Sequence, residues 1–268
     1  MERIVKGENE MIEVIDLTKR FDLSRKQKKS LIQAEKKVSE NAVDGINFSC
    51  QPGRIFTLLG PNGAGKTTTL RMIATMLRPT KGTIRVAGFD TVKESESVRA
   101  HIGFLTGTTG LYGRLTPREI IRYYGQLHGL SLKEIEERQK IYFDLLGIWD
   151  FADKRIEKLS TGMKQKVSIV RTIVHNPPVV VFDEPTTGLD VITSRNIMDL
   201  IRSCKKEGKT VIFSTHIMGE VSLLADDLAI IHEGKLCYNG HFDDFKRAHS
   251  GVSLEDAFIN TVNGEVVK

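Results

Sequence analysis

Four short stretches carry residue types and spacings that could do chemistry on a phosphate. The first reads GPNGAGKTT at 60–68. Its loop residues Gly60, Pro61, Asn62, Gly63, Ala64 and Gly65 include three glycines, which permit backbone that other residues would strain, so several N–H groups can face one anion. Lys66 adds a point charge for the outer phosphates, and the Thr67 hydroxyl can bind Mg²⁺ with Thr68 beside it. The second reads VVVFDE at 179–184. Four apolar residues end in two carboxylates, where Asp183 can hold Mg²⁺ through water and Glu184 can polarise an attacking water. The third, VIFSTH at 211–216, ends in His216, which can donate to a γ-phosphate. The fourth, LSTGM at 159–163, places Ser160 to cap a helix, and Ser160, Gly162 and that helix N-terminus make a second anion site. If both anion sites serve one nucleotide, the second comes from another subunit.

The elements that must position these groups follow from local pattern. RIFTLL at 54–59 alternates and predicts a strand, and KTTTLRMIATML at 66–77 has helical spacing up to Pro79. A strand running into a helix N-terminus is an anion site by geometry. The apolar runs at 179–182 and 211–213 predict buried parallel strands whose carboxyl ends open into a ligand crevice. After Ser160, the positions Val167, Val170, Ile173 and Val174 share one helical face, and the helix stops before Pro177. The fold class is α/β. Residues 11–58 are expected to form mostly antiparallel strands, and the strands that end at the 60–68 loop, at Asp183 and at His216 a parallel core with helices on both faces. Residues 107–165 are expected to insert a helical subdomain, with capping boxes at TPRE 116–119 and SLKE 131–134. The main domain is expected over 11–248 and a tail over 249–268, with a short helix capped by Ser253 that carries Leu254, Ala257 and Phe258 on one face.

Composition bounds the rest. The chain has 268 residues, 40 % of them hydrophobic and 27 % charged, enough for a sizeable core and for solubility. No stretch approaches the ~18 apolar residues of a membrane span, and MERIVKGENE lacks a signal peptide's apolar core, so a cytoplasmic chain is expected. Cys50, Cys204 and Cys237 lie far apart with no metal-ligand spacing and are expected to be free thiols. The net charge of +5 (39 basic, 34 acidic) permits contact with anionic surfaces without arguing for it, and no nucleic-acid partner is expected. Residues 22–41 are rich in Lys and Arg and read as a solvated insertion or as a contact with anionic lipid or a partner.

GPNGAGKTT, LSTGM, VVVFDE, TGLD at 187–190 and STH at 214–216 occur in the order seen in ATP-binding subunits of ABC transporters. They resemble that family's Walker A, signature, Walker B, D-loop and switch-histidine elements, and Phe21 matches its adenine-stacking aromatic. The resemblance implies a P-loop ATPase with a RecA-like core, an antiparallel β subdomain and an α-helical subdomain. It also implies ATP and Mg²⁺ as cofactors and a head-to-tail pair of copies in which Walker A of one chain meets the signature of the other. Asp190 would lie at their boundary, and a membrane permease would be driven from the cytoplasmic face. A groove near 103–118 would receive a permease helix; Leu111, Tyr112 and Leu115 fit either that groove or the subdomain core.

Two departures from the family pattern stand out. Thr161 and Met163 replace glycine and glutamine in the signature. Gly107 stands where a Mg²⁺-reaching glutamine is usual, a role that water, Thr106 or Thr108 could fill. IGFLTGTTGLYGRLTPRE at 102–119 and LSTGMKQKV at 159–167 resemble the two-component sodium-extruding (NatA-type) exporters, with drug and antibiotic exporters close in pattern. A soluble member without a permease, working in DNA repair, translation or cluster assembly, is a rival reading; repair members insert a long coiled coil and translation members carry two ATPase domains, and this sequence shows neither. A GTPase would need N-K-x-D, which does not occur in the sequence.

Overall fold

The computed structural model of the chain describes residues 10–21, 41–106 and 110–264. Most of the insertion 22–41, together with Gly107 and Thr108, lies outside the described residues; Asn41 opens a strand.

Two sheets form the frame. Strands β1 (Ile12–Arg20), β2 (Asn41–Cys50), β4 (Lys81–Val86) and β5 (Phe89–Asp90) make an antiparallel sheet in the order β2-β1-β4-β5. Strands β3 (Ile55–Leu59), β6 (Ile102–Leu105), β7 (Val179–Asp183), β8 (Thr210–Thr215), β9 (Asp227–His232) and β10 (Lys235–His241) make the second sheet, in the order β10-β9-β3-β8-β7-β6. It is parallel except for β10, which turns back along β9. The strand before the 60–68 loop, 55–59, belongs to the parallel core as expected, and 81–90, for which no strand is expected, completes the antiparallel sheet. Ile55–Leu59 are all buried, the mark of a strand covered on both faces. The two sheets meet where Phe48 of β2 stacks on Phe56 of β3, ring centroids 4.9 Å apart.

Strand β7 shows why its residues are apolar on both sides. Val180 and Phe182 join the core shared with the helical side, while Val179 and Val181 join the core shared with the antiparallel sheet. Helix α1 (Lys66–Ile73) follows β3, and α2 (Ser95–His101) precedes β6. Helix α1 is shorter than its pattern predicts. Thr75 takes φ +61°, its N–H bonds to Met72 O (3.2 Å), and Met76 N–H reaches back to Arg71 O (2.9 Å). That closure ends the helix as a glycine would, but with a threonine that carries no such signal in the sequence.

The helical side contains α3 (Pro117–Leu127), α4 (Leu132–Leu146) and α5 (Thr161–Ile173). Both expected capping boxes form, Thr116 with Glu119 and Ser131 with Glu134. Val167, Val170, Ile173 and Val174 are fully buried, so α5 ties this side to the parallel sheet. Leu111 and Leu115 pack into the same core, while Tyr112 is exposed. Helix α6 (Val191–Lys206) lies between β7 and β8 in the chain, and α7 (Met218–Leu224) follows β8. Helices α8 (Phe242–Ala248) and α9 (Leu254–Asn263) close the described chain. Ser253 caps α9, and Leu254, Ala257 and Phe258 pack onto this chain's own β9 side with Phe245.

Candidate active site

The loop after β3 is built for close approach. A Cβ at Gly60 would meet Ile231 O at 2.3 Å, and one at Gly65, which has φ +110°, would meet Ala42 O at 2.6 Å. Glycine therefore lets the loop press against β2 and β9. A cleft is lined by Ala42, Asn62, Gly63, Gly65, Lys66, Thr67, Thr68 and Glu184. Ala64, buried, supports the loop from beneath.

Lys66 is 3 % exposed. Its Nζ donates to Gly60 O (2.7 Å) and Pro61 O (3.1 Å) and pairs with Glu184 Oε1 at 3.1 Å. The Thr67 hydroxyl donates to Asp183 Oδ1 at 3.0 Å. Strands β7 and β8 run in register, so Ser214 sits beside Asp183. Its hydroxyl donates to Asp183 Oδ1 (2.8 Å) and accepts from Glu184 N–H (3.0 Å). Glu184 has φ +47°, a left-handed conformation that costs a non-glycine residue about 1–2 kcal/mol. There its carboxylate meets Lys66, the Thr187 hydroxyl (3.1 Å to Oε2) and His216 Nδ1 (3.4 Å to Oε2). Burial works to raise the Glu184 pKa, but the hydrogen bond and charge of Lys66, with Thr187 and His216, outweigh it. The net shift is downward, so the group is a carboxylate at neutral pH.

The structure thus brings together the 60–68 loop, Asp183, Glu184 and His216. It keeps four expected site residues, Ser160, Gly162, Asp190 and Phe21, elsewhere. Ser160 caps α5, its Oγ accepting from Met163 N–H at 3.3 Å, and lines a second cleft with Gly162, Lys166, Leu189 and Asp190. Asp190 caps α6, accepting from Thr193 N–H (2.9 Å) and Thr193 Oγ1 (2.8 Å); these bonds hold its pKa down. Phe21 stands at the end of β1, 42 % exposed, with the Lys19 ammonium 5.3 Å from its ring centre. No residue is shared between the linings of the two clefts. Thr106, buried, follows the last residue of β6.

The family model for ABC transporters matches residues 43–187, from β2 through the 184–187 turn. The chain belongs to the ABC transporter ATP-binding family. It is an ATPase subunit of an ABC transporter and binds ATP. It is 40 % identical over 251 residues to the ABC transporter ATP-binding protein NatA of Bacillus subtilis, covering 93 % of this chain and 97 % of that one. It is 37 % identical over 210 residues to the bacitracin transport ATP-binding protein BcrA of Bacillus licheniformis, covering 78 % and 68 %. It superposes on the dimeric structure of a bacterial ABC transporter cassette with a TM-score of 0.74, 25 % identity and coverage of 86 % and 98 %.

Four contributors to this ABC site are absent from the sequence reading. Ser214 bridges Asp183 and Glu184, Thr187 holds the Glu184 carboxylate, and Ala42 walls the cleft. Gln165 Nε2 donates to Pro185 O at 2.8 Å, linking α5 to the 184–187 turn. The hydroxyls in STH and in EPTT are visible in the sequence, but only the register of β7 with β8 shows what they face. Among the described residues no helix is long and apolar enough to cross a membrane.

Proposed function

We propose that this chain energises a two-component exporter, works as a pair of copies on a separate membrane permease at the cytoplasmic face, and drives Na⁺ extrusion. The contacts that join Lys66 and His216 to Glu184 and Thr67 to Asp183 at the 60–68 loop carry the mechanism. The 60–68 loop holds the ATP phosphates. Lys66 turns from Glu184 toward the γ-phosphate as it arrives, which frees the Glu184 carboxylate to orient water and take its proton. His216 donates to a γ-phosphate oxygen. Thr67 and Asp183 offer a hydroxyl and a carboxylate oxygen 3.0 Å apart, the hard oxygen donors that fit Mg²⁺. Bound there, the ion would supply positive charge against the phosphates. Phe21 stacks on adenine.

Ser160 and Gly162 lie in a cleft apart from the 60–68 loop, so each completes the site of a second copy, with Asp190 at the boundary. A dimeric cassette among the structural relatives supports that pairing. Tyr112, exposed and edge-on to Tyr123 at 6.0 Å, marks the face we assign to the permease. The domain limits, 11–248 and a tail from 249, are part of the same reading.

Sodium rests on the NatA-type motif resemblance and on 40 % identity that spans nearly all of NatA. The similarity to BcrA favours a second reading, an antibiotic or drug exporter. Inverted vesicles carrying this chain with its genomic-neighbour permease decide between them, using ²²Na⁺ uptake and Glu184→Gln as the inactive control. ATP-dependent uptake lost in the control is the expected result. Intact ATP hydrolysis without ²²Na⁺ uptake would sink the sodium reading and favour the second.

A further inference from the structure

Glu220 is a carboxylate that the mechanism above does not use. It lies in α7, is 5 % exposed, and touches no part of the 60–68 cleft. Burying a carboxylate is costly unless both oxygens find donors. Here each oxygen takes one hydroxyl from a different loop. Thr186 of the turn after β7 donates to Oε1, and Thr215 at the end of β8 donates to Oε2 at 2.6 Å. The Thr215 hydroxyl also accepts from Ile217 N–H at 3.0 Å, so it brackets His216 from both sides in the chain.

The sequence neighbours of those two threonines are the residues that grip Glu184. Thr187 and His216 both approach Glu184 Oε2, at 3.1 and 3.4 Å. A closed ring results: Glu184 to Thr187, along the chain to Thr186, through Glu220 to Thr215, and along the chain to His216, which returns to Glu184. We infer that Glu220 is a positioning residue for ATP hydrolysis, fixing the 184–187 turn and the His216 loop at the separation that aims Glu184 and His216 at one point. The inference rests on the proposed roles of Glu184 and His216. Packing alone would be met by an apolar residue of similar volume. Two hydroxyls converging on one buried carboxylate fix direction as well as distance.

The test uses the full chain, with Glu220→Ala, Glu220→Gln and Thr186→Val assayed for phosphate release, ATP binding and melting temperature. Glu220→Ala is expected to lower kcat on the order of 100-fold, the scale of an ångström misplacement, with KM for ATP held within about twofold. Glu220→Gln keeps the shape and can accept from Thr215 while donating to the Thr186 oxygen, so it is expected to restore most of kcat. Thr186→Val opens the ring at one point and is expected to lower kcat by itself. It carries the test should Glu220→Ala fail to fold. Folded variants with wild-type kcat overturn the inference, as does a loss that appears equally in KM and is not rescued by glutamine. Glu184→Gln and His216→Ala run alongside. Should those two retain turnover, the reading of the site fails; should they be inactive while the Glu220 and Thr186 variants are not, only the ring fails.

Discussion

Gly60 and Gly63 stand three positions apart and are glycine for different reasons. Gly60 has a backbone carbonyl, Ile231 O, where its Cβ would be, at 2.3 Å. Gly63 has open space around it but φ +81°. Gly63→Ala meets only the left-handed penalty, about 1–2 kcal/mol. Gly60→Ala must push β9 or the loop aside, an overpacking cost of about 1–3 kcal/mol that also displaces the N–H cradle. The expected outcome is that Gly63→Ala retains measurable ATP binding while Gly60→Ala loses it, read by equilibrium nucleotide titration beside denaturant midpoints. Equal behaviour of the two would contradict the contact argument. Glu184 teaches the complementary point. Its positive φ is carried by a strained non-glycine residue whose carboxylate meets Lys66, Thr187 and His216.

At the scale of elements, the joint between α3, α5 and the parallel sheet holds two stacked histidines. The His128 and His175 rings lie 3.9 Å apart at 11°. His175 Nε2 contacts Ile102 O at 3.3 Å, and Arg138 of α4 donates to Val174 O beside it. Burial, then the neighbouring His128, lowers the His175 pKa from 6.5 to about 4, with the Ile102 carbonyl opposing; burial lowers His128 too. A folded-state pKa below the unfolded value means the unfolded chain binds more protons between those limits. Stability is therefore full above pH 6.5 and falls as the pH drops toward 4, by up to about 3 kcal/mol from His175. His175→Gln should flatten that part of the profile. Melting temperatures of both proteins from pH 7 to pH 4 check it, and parallel profiles would remove His175 as the cause.

At the scale of the molecule, two features face outward that a lone chain leaves unused. The Ser160–Gly162 cleft lies apart from the 60–68 loop, and beside it Val191 and Ile192 are 85 % and 75 % exposed at the start of α6. Exposed aliphatics at a helix start next to Asp190 fit burial against a second copy. Ile192→Asp is expected to change unfolding free energy by no more than about 0.5 kcal/mol, as surface substitutions do, and to weaken ATP-dependent dimerisation in a Glu184→Gln background. Sedimentation with and without ATP reads this; an unchanged dimer would place the interface elsewhere.

The sequence by itself determined the chemistry. G-x-x-x-x-G-K-T before a helical pattern, two carboxylates ending an apolar run, and a histidine ending another are local signals, and each marks the end of an element where a side chain can reach a phosphate. Caps were equally legible, because Ser131 with Glu134 and Thr116 with Glu119 act within one turn. What only the tertiary structure decided depends on contacts between distant segments. That 81–90 completes the antiparallel sheet follows from the pairing of β4 with β1, a contact that neither segment announces by itself. The end of α1 at a left-handed Thr75 has no glycine to signal it. Ser214 became visible as a partner of Asp183 and Glu184 only when β8 lay in register beside β7, since a hydroxyl has no role until its partner is in place.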